Sequence, residues 1–64
     1  MTVGPIQTYV MDDESEADTY LRDLFKNPEN RSMDVVHQRA QIINFEDDHF
    51  RNYFINKGQE LLRS

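Results

Sequence analysis

The chain has no cysteine and no tryptophan in its 64 residues. Without cysteine there is no disulfide, no thiolate metal site and no thiol nucleophile. A domain this short draws only roughly 3–5 kcal/mol of net stability from its core. With no covalent staple, further stability must come from close helix packing, self-association or docking on a larger partner. This favours a protein that works bound to something, with a homodimer and a stable monomer both open. Glycine and proline are scarce as well, at Gly4, Gly58, Pro5 and Pro28. Two distant glycines cannot form a phosphate-cradling loop. No apolar run approaches the ~20 residues that span a bilayer. Met1 is followed by neither a basic segment nor a long apolar one. The expected location is therefore cytoplasmic, with no membrane contact.

Positive charge is thin and scattered. Arg22, Lys26, Arg31, Arg39, Arg51, Lys57 and Arg63 include no adjacent pair, so the sequence has no basic stripe, although folding could gather a few of them. Twelve acids outweigh these bases, giving a formal net charge of −5 and a pI near 4.7. Direct binding to DNA, RNA or an anionic membrane is disfavoured on that balance.

What the chain does have is an acidic run beside an apolar helix. Asp12-Asp13-Glu14-Ser15-Glu16-Ala17-Asp18 places five carboxylates in seven positions and leads into Tyr20-Leu21-Arg22-Asp23-Leu24-Phe25. Asp12 or Asp13 suits an N-cap, and acids in the first turn complement the helix dipole. Ala17, Tyr20, Leu21, Leu24 and Phe25 form an apolar stripe at helical spacing. Asp18 and Arg22 form an i,i+4 pair of favourable order. Asn27-Pro28 ends the helix.

The remaining segments complete the fold expectation. Residues 1–11 read as an extended arm or a strand, since Ile6-Gln7-Thr8-Tyr9-Val10-Met11 is rich in β-branched and aromatic residues. A lone strand must pair elsewhere in the chain, with a second copy or with a partner's sheet edge. Ser32 caps a second helix over 32–45, with Val36, Ala40 and Ile43 on one face. The β-branched pairs Val35-Val36 and Ile42-Ile43 keep a strand open there. Glu46-Asp47-Asp48 starts a third helix over 47–62, carrying Phe50, Tyr53, Phe54, Lys57 and Leu61 at helical spacing. Gly58 lies inside it at a cost of about 1 kcal/mol relative to alanine, so it marks either a close approach or a fraying end. The expected fold is one small, mostly α domain over 1–64: two to three helices, over 12–27, 32–45 and 47–62, with an extended or β N-terminal segment. The alternative is an α+β arrangement, β-α-β-α.

No reactive constellation stands out. His49 beside Glu46, Asp47 and Asp48 suggests a metal cluster, but neighbouring helical side chains diverge by ~100°, and metal pairs on helices are normally i,i+4. His37 has no partner at that spacing. The acidic run lacks the alternating ligands, central glycine and distal glutamate of a calcium loop. Ser15, Ser32 and Ser64 read as cap or terminal residues, not nucleophiles. No catalysis, metal or cofactor is expected. Phe45, Phe50, Tyr53 and Phe54 have Arg51 as the one base among them, so core packing suits Phe50 and Phe54 better than base stacking. Tyr53 suits an interface rim.

The expected function is that of a small acidic protein-binding module: an inhibitor, an adaptor or a minor subunit of a larger protein with a basic surface. Small phage- or bacterium-encoded regulators have this profile. Two alternatives are a DNA-mimicking inhibitor of a nucleic-acid-binding protein and a dimeric helical DNA-binding regulator. A mimic needs its acids on one continuous face, whereas the sequence separates them into Asp12–Asp18 and Glu46–Asp48. The expected partner contacts are Asp12, Asp13, Glu14, Glu16, Asp47, Asp48 and Tyr53, joined by Tyr9 if the N-terminal segment augments a sheet. The ordinary reading of the acidic residues is a pair of solvated helix starts.

Overall fold

Each helix begins where a short polar side chain takes up an otherwise unpaired amide. The computed structural model describes residues 9–64. Asp13, with extended backbone at φ −144° and ψ 123°, accepts the Ser15 N–H at 2.9 Å and starts α1, Glu14–Leu24. Ser32 accepts the Val35 N–H at 3.3 Å and starts α2, Met33–Ile42. Asp47 accepts the His49 N–H at 3.0 Å and starts α3, Asp48–Arg63. Such caps satisfy one of the four amide donors that a helix start leaves open. Pro28 forces Asn27 out of the helical region, to φ −93° and ψ 115°, and so fixes the end of α1. Asn27 then caps a short 3₁₀ turn, Pro28–Asn30, and the Asn30 side-chain amide donates to the Leu24 carbonyl at 3.2 Å.

The described residues form a small bundle of three α-helices. The strand alternative for residues 35–45 is corrected: Met33–Ile42 is helical. Val36 and Ala40 are buried on one face of it, and that burial outweighs the few tenths of a kcal/mol per residue that β-branched residues lose in a helix. Phe45 lies outside α2 and pairs with Met11 in a parallel bridge. The Met11 N–H donates to Asn44 O at 2.8 Å, and the Glu46 N–H donates to Met11 O at 3.0 Å. Among the described residues this bridge is the only β pairing, so no β-α-β-α sheet forms there. The strand expected over 6–11 falls mostly outside the described residues.

Cross-helix contacts set the directions. Glu14 meets His49, Tyr20 meets Phe54 and Leu21 approaches Gly58, so α1 and α3 run parallel. Val36 meets Gly58 while the Ala40 carbonyl meets Arg51, so α2 runs antiparallel to α3. The core joins Met11, Ala17, Leu21, Phe25, Val36, Ala40, Phe45 and Phe54. Phe54 is fully enclosed, with tilted ring contacts to Tyr20 at 5.7 Å and Phe45 at 5.5 Å. Among the described residues, no helix is long and apolar enough to cross a membrane.

Candidate functional site

The parallel arrangement of α1 and α3 brings two helix starts to the same end of the bundle. The Met11–Phe45 bridge ties together the segments that lead into them. The acids that the sequence separates into 12–18 and 46–48 therefore begin side by side. His49 fastens the join, with Nε2 3.0 Å from Glu14 Oε2 across the two helices. One end of the molecule thus carries Asp12, Asp13, Glu14, Glu16, Glu46, Asp47 and Asp48, all exposed, with His49 and Arg51 as the basic groups among them.

These carboxylates do different work. Asp13 and Asp47 are caps, so their charge faces the positive ends of two helix dipoles, each equivalent to roughly half a unit charge. Glu16 accepts the Tyr9 hydroxyl proton in a hydrogen bond. That bond, together with desolvation and the negative charge of Glu16, Asp12 and Asp13, pushes the Tyr9 phenol up to about 12. Glu14 is held by His49. Asp48 is held by Arg51 Nη1 at 2.7 Å, and the Arg51 guanidinium also donates to the Ala40 carbonyl and lies 5.4 Å from the Phe45 ring centroid. Among the described residues, Asp12 and Glu46 have no side-chain hydrogen bond or ion pair.

The sequence-expected contacts thus separate into two groups. Asp12, Glu14 and Asp48 present carboxylates at the shared end, two of them in exposed pairs worth about 0–1 kcal/mol that a partner's base could exchange. Asp13, Glu16 and Asp47 build the local structure. Tyr9 is half exposed at the edge of this end and, among the described residues, takes part in no β pairing. Tyr53 is half buried, one turn beyond His49, and packs against the core. Glu46 completes the face, and sequence spacing alone gave no reason to place it beside Asp12.

Chemically, the end offers charge and hydrogen-bond acceptors. Among the described residues no three His, Asp or Glu side chains form a group that could hold a metal ion. His49 points to Glu14, not into a cluster with Asp47 and Asp48.

Folding also gathers positive charge that the sequence scatters. Arg22, Lys26 and Arg31 line one cleft with Phe25, Leu61 and Ser64, where α1 and α3 end. No known protein family, curated protein or solved structure matches the chain.

Proposed function

We propose that this chain is a small acidic protein-binding module that docks the common start of α1 and α3 on a basic surface of a larger protein, as an inhibitor, adaptor or minor subunit. The observation that carries this reading is the Met11–Phe45 bridge, which merges two acidic segments far apart in sequence into one exposed face. A concentrated negative face accelerates encounter with a basic surface and rejects partners of like charge. Among the described residues, three capped helices and one enclosed core stand behind the face, which supports the same reading.

A second reading is favoured by the same adjacency. A DNA-mimicking inhibitor requires continuous acids, and the two patches meet. It differs in its physics, because its binding falls steeply with salt and competes with duplex DNA.

The test replaces charge while leaving the caps intact. The variant Asp12→Asn, Glu14→Gln, Glu46→Gln, Asp48→Asn keeps Asp13, Glu16 and Asp47. Affinity capture from the native cell, read by mass spectrometry, should recover one defined larger protein with the wild-type chain and lose it with the variant. Equal recovery with both chains would refute the reading. Competition by duplex DNA for the recovered protein separates the mimic from the plain docking module.

A further inference from the structure

The opposite end of the bundle carries a feature that the acidic face does not use. A cleft of about 400 Å³ opens between the end of α1 and the end of α3. Arg22, Phe25 and Lys26 line one side, Leu61 and Ser64 the other, and Arg31 closes it from beyond the 3₁₀ turn. Three of the chain's seven bases converge here although the net charge is −5. Arg22 and Lys26 have an ordinary explanation, since bases at a helix C-terminus complement the dipole. Arg31 lies outside α1, α2 and α3, at the end of the 3₁₀ turn, where its N–H donates to the Pro28 carbonyl at 3.2 Å. Its guanidinium lies 5.8 Å from the centroid of the nearly buried Phe25 ring, and among the described residues it makes no ion pair.

We infer that this cleft binds a small aryl phosphate. The Arg31 fork matches the oxygens of a phosphoryl group, and Arg22 and Lys26 supply further charge. Arg22 reaches Asp18 at 2.7 Å and Lys26 reaches Asp23 at 3.7 Å, but both pairs are exposed, so a phosphoryl group displaces those carboxylates at little cost. Half-buried Leu61 and the small exposed edge of Phe25 give the ligand's ring a narrow apolar floor. That floor is required, because the carbonyl ends of α1 and α3 oppose a bare anion with roughly half a unit of negative charge each. The net charge of the chain repels a polyanion, which selects a small ligand over nucleic acid. This inference is independent of the acidic face at the other end.

Titration of the full chain with phenyl phosphate, followed by amide and arginine side-chain NMR shifts, tests it. Saturating shifts confined to Arg22, Phe25, Lys26, Arg31 and Leu61 are expected, with a dissociation constant on the order of a millimolar. Inorganic phosphate and phenol, titrated separately, should each bind at least about tenfold more weakly, since each uses half of the site. Arg31→Ala should weaken phenyl phosphate about tenfold, and Arg31→Lys several-fold because it keeps the charge and loses the fork. Arg39→Ala, an equal charge change on α2, should leave binding unchanged. The inference is overturned by any of three results: no shift at about 20 mM, roughly twentyfold above the expected constant; inorganic phosphate binding as well as phenyl phosphate; or Arg39→Ala weakening binding as much as Arg31→Ala.

Discussion

Gly58 offers a test of the packing in which the sign of the effect is the result. A Cβ placed there would stand 2.9 and 3.0 Å from the two methyl carbons of Val36, and 3.5 Å from Leu21 Cδ2. Carbon atoms attract best at about 3.5–4.0 Å, so the Leu21 contact is ordinary and the Val36 contacts are overlaps. Val36 is fully buried on α2, and a β-branched side chain in a helix has essentially one rotamer, so it cannot swing aside. Forcing a methylene into such a core costs about 1–3 kcal/mol. Replacing a mid-helix glycine returns about 1 kcal/mol. Gly58→Ala should therefore be neutral or destabilising by up to about 2 kcal/mol. In a Val36→Ala background the overlap is gone, and the same substitution should stabilise by about 1 kcal/mol. The coupling between the two positions is then about 1–3 kcal/mol in favour of the double variant. Urea unfolding followed by far-UV circular dichroism reads this, since 1 kcal/mol moves the midpoint by about 1 M in so small a domain. Val36→Ala leaves little residual stability, so all four proteins are compared in sucrose, which strengthens burial. If Gly58→Ala stabilises the wild-type background by the full propensity gain, the close approach of α2 to α3 is refuted.

Three further outcomes follow from the same structure. Asp47→Ala and Asp13→Ala should each cost about 1 kcal/mol in urea midpoint, while Asp→Asn at either position should cost only a few tenths, because asparagine caps as well as aspartate; equal losses for Ala and Asn would mean that charge and not capping holds these helix starts. The Tyr9 ring should titrate near 12 by NMR in the folded chain and closer to 10 after Glu16→Gln; the raised value favours the protonated phenol in the folded state, so its stabilising contribution is complete below pH 10 and is lost as pH rises through 12, and a Tyr9 titration unmoved by Glu16→Gln would contradict that pairing. Phe54→Ala should cost about 3–5 kcal/mol, comparable to the whole stability expected of a domain this size, and leave the chain unfolded at 25 °C by circular dichroism; a cooperative transition in that variant would contradict the central place of the ring.

The three helices were legible because several local signals agreed. Asp13, Ser32 and Asp47 cap where short polar residues precede apolar spacing, and Pro28 stops α1 where a proline must. Residues 42–45 were harder, since Ile42-Ile43 and Phe45 suit a helix face and an extended segment equally well. The deciding partner is Met11, more than thirty positions away, whose backbone takes both the Asn44 carbonyl and the Glu46 amide. Such a pairing leaves no periodicity in the sequence. The candidate site was half legible for the same reason. The acids themselves are plain, but their meeting depends on α1 and α3 running parallel, which is a property of the assembled bundle. The sequence also could not separate the capping Asp13 from Asp12, or Asp47 from Asp48, because each pair is two neighbouring aspartates of equal capping preference. The Arg22, Lys26 and Arg31 cleft was hidden in turn by bases spread over ten residues and a connector that folds back on α1.

Calorimetric titration of the captured partner tests the acidic face most directly. The wild-type chain is compared with the variant carrying Asp12→Asn, Glu14→Gln, Glu46→Gln and Asp48→Asn, at low and at physiological salt. Four exposed contacts at about 0.2–1 kcal/mol each predict roughly 1–4 kcal/mol of lost affinity at low salt, with unchanged circular dichroism and a difference that shrinks as salt rises. A folded variant that binds its partner as tightly as the wild type at low salt would contradict the account.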